Sequence, residues 1–222
     1  MKPITVLLAD DHMLVRQGLH AILGEEVDIE IVGEAANGRQ AVELTQELRP
    51  DVVVMDIAMP LLNGLEATRQ ILKFDPVAKV LILSSHGNDE YIDRVLALGV
   101  AGYLLKHTSA EFLSKAIREI NGGKRVYGPT VSKRIHAQAG DSSTHKGSVN
   151  SNIALRLSSR ETELVQLVAE GKANKQIAVT LDISIKTVER HRQDVMNKLD
   201  LHDTAGLTRY AIASRIIECS FG

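Results

Sequence analysis

Side chains able to do chemistry stand where four short apolar runs of the sequence end. They are Asp10 and Asp11, Asp56, Ser84 and Lys106. Clustered carboxylates repel one another and need a cation, and oxygen ligands in an open cleft favour Mg²⁺. With a cation bound, Asp56 can act as a nucleophile toward phosphorus, while Lys106 neutralises charge on the transferred phosphoryl group. These residue types therefore indicate a magnesium-dependent phosphoryl-acceptor site.

The elements that must position these residues alternate regularly along the first part of the chain. Strand patterns at 5–9, 30–34, 52–56, 80–84 and 102–105 alternate with helical patterns at 13–23, 39–47, 65–73, 90–98 and 110–121. Runs such as Val52-Val53-Val54-Met55 are continuously apolar, which is typical of strands buried on both faces. We therefore predict an α/β fold with a doubly wound, five-stranded parallel sheet, flavodoxin-like, followed by an all-α second domain.

Each of these residues also has a simpler interpretation when taken alone. An isolated aspartate after a strand is usually a helix cap or a turn residue, and an isolated lysine is usually solvated. Because the carboxyl ends of parallel strands form the ligand crevice of an open sheet, residues far apart in sequence are expected to converge there. The joint placement favours one site over independent surface residues.

The Asp10-Asp11 pair, Asp56, Ser84 and the run Tyr103-Leu104-Leu105-Lys106 resemble the receiver-domain signature of two-component response regulators, over about residues 4–122. The resemblance implies that Asp56 accepts a phosphoryl group from a sensor histidine kinase. It also implies that Asp11 and Asp56 bind Mg²⁺ directly and that Asp10 holds a metal-bound water.

Further roles follow from the same resemblance. The backbone carbonyl of Ala58 would be a metal ligand, Ser84 would hydrogen-bond the phosphoryl oxygens, and Tyr103 would be the aromatic that swings inward with it. Many receivers have a proline after the lysine, often after a cis bond, whereas this chain has His107. A cis bond without proline costs about 3 kcal/mol, so we expect a trans bond there.

Two histidines adjoin the site in sequence. His86 is either a phosphate contact or a solvated loop residue, and the sequence leaves both open. His12 follows the acidic pair, but one histidine beside hard oxygen ligands is weak support for a transition-metal site.

Residues 140–152 are polar and have almost no core-forming side chain, so they read as a flexible linker. We predict a receiver domain over 1–125, a linker with a possible short helix over 126–154, and a second domain over 155–222. In the second domain a capping box at Ser158–Glu161, a cap at Asn174 and a cap at Ser184 precede three helices, and a fourth follows near 204–217.

The stretch from Leu157 through Lys198-Leu199 resembles a LuxR-type helix-turn-helix, which together with the first domain is similar to the NarL/FixJ subfamily. The third helix of this domain has an apolar stripe and an opposite polar stripe. Basic and amide side chains are the types that contact phosphates and base edges in double-stranded DNA. The candidate DNA contacts are Lys175, Lys186, Thr187, Glu189, Arg190, Gln193 and Asn197.

The last helix carries a stripe of Leu207, Ala211 and Ser214. The resemblance suggests a homodimer interface there, while an intradomain core explains each residue equally well. Phosphorylation would then act either by exposing the recognition helix or by promoting dimerisation.

Properties of the whole chain agree with a cytoplasmic regulator. The net charge is −2, and its only cysteine, Cys219, cannot form an internal disulfide. The sequence contains neither a signal-peptide pattern nor an apolar run long enough to span a membrane, so no membrane partner is expected.

Three alternative functions involve the same part of the sequence. An aspartate-nucleophile phosphatase usually carries a second aspartate two residues after the nucleophile, where this chain has Ala58. We therefore expect a non-enzyme with only self-phosphorylation and slow autodephosphorylation. A constitutive transcription factor would show DNA affinity unchanged by phosphorylation. A dinucleotide-binding enzyme is excluded because Ala9-Asp10-Asp11-His12 replaces the glycine-rich turn.

Overall fold

A computed structural model of the chain describes residues 2–85, 89–140 and 157–217. The chain forms two compact units, Met1–His145 and Lys146–Gly222. Within the described ranges, each helix is too short or too polar to span a bilayer.

The first unit is a parallel sheet of six strands in the order β2-β1-β3-β4-β5-β6. The strands are β1 (Ile4–Ala9), β2 (Ile29–Ala35), β3 (Val52–Met55), β4 (Val80–Ser84), β5 (Gly102–Leu105) and β6 (Val126–Tyr127). The helices are α1 (Met13–Gly24), α2 (Gly38–Leu48), α3 (Gly64–Phe74), α4 (Asp89–Ala97), α5 (Ala110–Asn121) and α6 (Pro129–Gly140). The strand order reverses between β1 and β3, and open α/β sheets bind ligands at that point.

Both faces of the sheet are covered, as the continuously apolar strands predict. On one face, Val52 and Val54 of β3 pack in a cluster that includes Ile117 of α5. On the other face, Val53 and Met55 share a cluster with helix residues from α3 and α4. Burying one such aliphatic side chain stabilises the fold by about 1.5–3 kcal/mol. The central strands therefore hold the residues at their carboxyl ends in fixed positions.

The prediction of a five-stranded sheet is one strand short. Strand β6 pairs with β5 through Tyr103 and Tyr127, and α6 follows it with Val131 fully buried against the same unit. These residues lie in the stretch predicted as a linker from residue 126, so the compact first unit continues past residue 125. A strand of two residues carries too little alternation to be recognised from sequence.

Within residues 157–217, the second unit consists of four helices, as predicted. They are α7 (Ser159–Ala169), α8 (Asn174–Leu181), α9 (Ile185–Lys198) and α10 (Thr204–Ala213). The predicted capping box is confirmed, because the Ser158 hydroxyl accepts from the Glu161 amide at 3.3 Å and the Ser158 amide donates to Glu161 at 2.6 Å. Gly171 has a φ of +77°, which lets the chain leave α7 in a left-handed turn.

The start of α8 differs from the prediction. The N-cap is Ala173, whose amide donates to the side chain of Gln176 at 2.9 Å. The side chain of Asn174, predicted as the cap, instead accepts from Nη1 of Arg192 at 2.6 Å. Ser184 caps α9 as predicted, accepting from the Thr187 amide at 3.0 Å.

Candidate metal centre and nucleic-acid interface

Backbone pairing at the carboxyl edge of the sheet aligns the ends of four strands. The Asp56 amide donates to the Ala9 carbonyl at 2.8 Å, which sets the end of β3 beside the end of β1. The Lys106 amide donates to the Ser84 carbonyl at 2.8 Å, which sets the end of β5 beside the end of β4. The predicted convergence is therefore a direct consequence of the parallel register.

One lysine joins two buried aspartates at this edge. Nζ of Lys106 lies 2.7 Å from Oδ2 of Asp10 and 2.9 Å from Oδ2 of Asp56. The other oxygens of these carboxylates are held by backbone amides, since Oδ1 of Asp10 accepts from His12 at 2.9 Å and Oδ1 of Asp56 accepts from Ile57 at 2.8 Å. Asp10 and Asp56 are almost completely buried, at 2% and 3% exposed.

Asp11 completes the acidic cluster and is the more accessible of the pair. Its Oδ1 lies 2.7 Å from Nδ1 of His12. One ligand atom each from Asp10, Asp11, His12 and Asp56 lies within 4.8 Å of the others. Such spacing fits a single cation among carboxylate oxygens, the donor set that Mg²⁺ prefers.

Burial raises the pKa of Asp56 to about 6, from an ordinary value of 3.8. The positive charge of Lys106 opposes this shift, and the carboxylate of Asp10 adds to it. Burial alone would lower the pKa of Lys106, but the charge of Asp56 and the hydrogen bonds to both aspartates outweigh it, and the pKa of Lys106 is raised. The site therefore holds an excess of negative charge at neutral pH that a divalent cation would balance.

The loop after β3 folds back tightly under Asp56. The Gly64 amide donates to the Ile57 carbonyl at 2.8 Å, and a Cβ placed on Gly64 would lie 1.8 Å from the Asp56 carbonyl oxygen. Only glycine permits so close an approach between the start of α3 and the end of β3. Ala58 is half-buried in this loop, and its role as a carbonyl ligand stays a prediction.

Ser84 and Tyr103 are both buried, at 1% and 0% exposed. Tyr103 therefore lies inward, packed in the hydrophobic cluster under α4. The peptide bond before His107 is trans, as expected, since every described peptide bond is trans. His86 lies outside the described residues.

Arg16 is a site residue that the sequence did not reveal. Its Nη1 donates to the backbone carbonyl of Asp10 at 2.6 Å, and its Nε lies 3.4 Å from Glu34 on β2. From the first turn of α1, Arg16 thereby fixes the backbone at Asp10. Its position gives no signal in the sequence, because an arginine in the first turns of a helix is ordinarily a surface residue.

In the second unit, α9 has the two faces that its sequence predicts. Val188 and Val195 are fully buried. The opposite stripe is exposed and consists of Lys186, Glu189, Arg190, Gln193 and Asn197. Lys175, at the start of α8, is exposed as well. These residues are free to meet a nucleic acid, although their contacts with DNA stay predictions.

Internal hydrogen bonds organise this polar stripe. The Gln193 amide donates to Asn197 at 2.8 Å, and Nε of Arg190 lies 3.8 Å from Asp194. Thr187 is half-buried, with its hydroxyl 2.7 Å from the Ser184 hydroxyl, so it belongs to the helix cap. Such exposed pairs are weak and can exchange for contacts with a ligand.

Two arginines that sequence reasoning passed over hold the helix-turn-helix together. Arg192 donates to Asn174 on α8 and, at 2.8 Å, to the hydroxyl of Thr204 on α10. Arg160 on α7 donates to the carbonyl of Leu181, the last residue of α8. Their polar partners are distant in sequence, so a periodicity argument cannot find them.

Leu207 and Ala211 of the last helix are buried inside the unit, at 1% and 0% exposed. The structure therefore favours the intradomain core for both. Ser214, at the end of α10, is half-buried.

Comparisons with known proteins agree with this geometry. Residues 6–118 match the family model "Response regulator receiver domain", and residues 155–211 match "Bacterial regulatory proteins, luxR family". The response regulator protein VraR of Staphylococcus aureus (strain NCTC 8325 / PS 47) is 36% identical over 215 residues, which cover 97% of this chain and 99% of VraR.

Solved structures give the same result over nearly the whole length. The response regulator ChrA of a heme-sensing two-component system is 32% identical, with a TM-score of 0.53 over 98% of this chain and 100% of ChrA. A complex of the two-component response regulator RcsB with DNA is 26% identical, with a TM-score of 0.57 over 94% of this chain and 98% of that one.

Proposed function

Because this chain belongs to the two-component response regulators that join a receiver domain to a LuxR-type DNA-binding domain, we propose that phosphorylation of Asp56 controls its binding to DNA. The observation that carries the proposal is the position of Asp56, buried beside Lys106 at 2.9 Å and within 4.8 Å of two further carboxylates. An aspartate with a purely structural role would need neither the ammonium group of Lys106 nor the acidic neighbours.

The residues present fit a magnesium ion. Asp11 and Asp56 would be its carboxylate ligands, and the Ala58 carbonyl a third. Asp10, whose Oδ1 accepts from the His12 amide and whose Oδ2 lies 2.7 Å from Nζ of Lys106, would hold a metal-bound water. When bound, Mg²⁺ would offset negative charge on the phosphoryl oxygens.

In the chemical step, one carboxylate oxygen of Asp56 attacks the phosphorus of a phosphohistidine on a sensor histidine kinase. The new P–O bond forms as the P–N bond breaks, and the electron pair leaves with the imidazole nitrogen. Lys106 stabilises the charge that develops on the phosphoryl oxygens, and Ser84 hydrogen-bonds one of them. Tyr103, which is already buried, would then repack together with α4 and β5, and this shift is the signal that the receiver transmits.

In the second domain, α9 would lie in the major groove of double-stranded DNA. Its exposed stripe supplies a guanidinium, an ammonium and two amides at helical spacing, the chemistry that reads base edges and phosphates. Glu189 is also exposed and would favour cytosine while repelling phosphate. The RcsB complex shows that a relative of this architecture binds DNA.

The protein would act as a transcription regulator in the cytoplasm, as a homodimer when phosphorylated or bound to DNA. We place the receiver at 1–125, extended by β6 and α6, and the DNA-binding domain at 155–222. It would not be an enzyme beyond self-phosphorylation and slow autodephosphorylation.

A small phosphodonor such as acetyl phosphate tests the proposal directly. With Mg²⁺, the full chain should gain the mass of one phosphoryl group, and Asp56→Asn should gain none. Asp75→Asn, at the end of α3, is the matched control and should react like the wild type. Phosphorylation should raise the DNA affinity of the wild type and of Asp75→Asn. An Asp56→Asn protein that still gains the phosphoryl mass would refute the assignment.

A further inference from the structure

Helix α6 packs against the hydrophobic cluster that contains residues of α4 and β5. Strand β6 continues the sheet beyond β5, with Tyr127 in register with Tyr103, and the Gly128 amide donates to the Tyr103 carbonyl at 2.9 Å. The chain then turns directly into α6, where the Ser132 hydroxyl donates to the Tyr127 carbonyl at 3.1 Å. One hydrogen bond thus ties the residue before α6 to β5, which carries Tyr103, and a second ties α6 to β6.

The apolar side of α6 belongs to the core around that tyrosine. Val131 is fully buried, and it shares one hydrophobic cluster with Tyr103 and with Ile92 and Val95 of α4. Ile135, one turn further along α6, packs against the same cluster. A movement of Tyr103 or α4 would therefore change the packing of α6, because a close-packed core transmits displacement.

The polar side of α6 is fastened to α4 by an ion pair. Nη2 of Arg134 donates to Asp93 at 2.9 Å, and Nε of Arg134 donates to the other carboxylate oxygen at 3.3 Å. Both side chains are about one-third exposed. Such a bidentate pair fixes orientation and remains weak enough to open.

We propose that α6 is the output element of the receiver, docked on α4 and β5 in the unphosphorylated state and released when Asp56 is phosphorylated. Arg134 and Asp93 form the latch, and Val131 and Ile135 form the docked face. The inference rests on the proposed function, since phosphorylation is the signal that shifts the docked helix. Because α6 leads into the chain that precedes the second domain, its release would alter the tether of the DNA-binding domain.

The test uses the full chain with Mg²⁺ and beryllium fluoride, a stable analogue of the phosphoryl group on aspartate. Hydrogen exchange of backbone amides in residues 130–140 should speed up by about 5- to 150-fold on binding, the range of ordinary coupling between two sites. Arg134→Ala should speed up the same amides by about two- to fivefold without the analogue, since it removes the ion pair with Asp93.

Coupling between two sites is reciprocal, so a change in α6 should alter the affinity of the protein for beryllium fluoride. If α6 had only a structural role, this affinity would stay the same. Arg134→Ala should bind beryllium fluoride more tightly by the same factor of about two to five, because less of the protein remains docked. Lys133→Ala, which removes an equal charge from the same helix, should change neither quantity. Asp93→Ala should match Arg134→Ala.

The outcomes separate the two proposals. If beryllium fluoride fails to bind the wild type, the assignment of Asp56 is wrong. If it binds with full occupancy while the exchange of α6 stays unchanged and Arg134→Ala binds it no better, Asp56 keeps its role and the release of α6 is overturned.

Discussion

The ammonium group of Lys106 lies 2.9 Å from Oδ2 of Asp56 and pairs with it in a nearly buried site. Of the influences on the pKa of Asp56, burial is the largest and raises it, while the charge of Lys106 lowers it. The lysine therefore favours the ionised carboxyl, which the proposed phosphoryl transfer to Asp56 requires.

Replacing Lys106 with Met should raise the pKa of Asp56 above its present value of about 6, because burial and the charge of Asp10 would act unopposed. In the metal-free protein, the ¹³Cγ resonance of Asp56 measured by NMR against pH reports this directly. Phosphorylation by acetyl phosphate should also fall by about 10²-fold or more. Lys124→Met removes an exposed lysine and should leave the titration of Asp56 unchanged, whereas an unchanged titration in Lys106→Met would contradict the role of the pair.

Asp56→Asn should stabilise the metal-free protein, and the gain should depend on pH. The pKa of Asp56 is higher in the folded protein, about 6, than its ordinary 3.8, so the folded state binds more protons between these values. Stability contributed by Asp56 therefore falls as pH rises through this window, and the full penalty is present above the folded pKa. The asparagine variant lacks the penalty and should gain about 1–3 kcal/mol at pH 7.5.

Urea unfolding of both proteins at a series of pH values measures this gain. The difference in unfolding free energy should shrink as pH falls below 6 and should approach zero only well below 3.8, where the wild-type carboxyl is protonated in both states. Added Mg²⁺ should also shrink the difference at pH 7.5, because a ligand of the folded wild type stabilises it. A difference that is independent of pH would show that Asp56 is not the group responsible.

Gly64→Ala should damage the acceptor site without touching a polar group. A Cβ at this position would lie 1.8 Å from the backbone oxygen of Asp56, so either α3 or the end of β3 must shift. Overpacking of this kind costs about 1–3 kcal/mol or more, and the affinity for Mg²⁺ should fall with it.

The control for Gly64→Ala is Gly18→Ala in α1, where an added Cβ meets no atom within 4 Å. This change should stabilise the protein by about 0.5–1 kcal/mol, as alanine does in a helix interior. Thermal unfolding and a Mg²⁺ titration of both variants make the comparison. Equal Mg²⁺ affinity in both would show that the close contact at Gly64 is not needed for the site.

The convergence of the aspartates and the lysine follows from the sequence because two strong rules act together. Continuous apolar runs identify the strands, and parallel strands bring their ends to one edge, so Asp10, Asp56 and Lys106 could be placed together without coordinates. The helix ends were recognisable for a similar reason, since the serine cap at Ser184 acts locally on the next turn.

The features that escaped prediction depend on contacts between residues far apart in the chain. Strand β6 is too short to show a pattern, and α6 is recognisable only as a weak helix until Val131 is seen in the core. Arg16 and Arg192 find partners that no periodicity specifies. Asn174 looks like a cap by residue type, yet the nearby Arg192 takes its side chain instead.

Two arginines of α9, two positions apart, should differ in how much their replacement by methionine lowers the stability of the second domain. Arg192→Met breaks hydrogen bonds to Asn174 and Thr204, and it should destabilise the second domain by about 1–3 kcal/mol. Arg190→Met removes an exposed side chain, at 77% exposure, and should change stability by less than about 0.5 kcal/mol. Loss of Val188 and Val195 methyl dispersion in NMR spectra during urea unfolding measures both.

For DNA affinity we expect the larger effect from Arg190→Met and the smaller one from Arg192→Met. If Arg190 contacts DNA, Arg190→Met should weaken binding by about 5- to 150-fold, equivalent to about 1–3 kcal/mol, because a charged contact with phosphate or guanine is lost. Below the unfolding transition, Arg192→Met should bind with near wild-type affinity, since its guanidinium is committed to α8 and α10. Fluorescence anisotropy at several salt concentrations separates phosphate from base contacts. Full DNA affinity in Arg190→Met, together with loss of affinity in a folded Arg192→Met, would place the DNA-contacting face on the other side of α9.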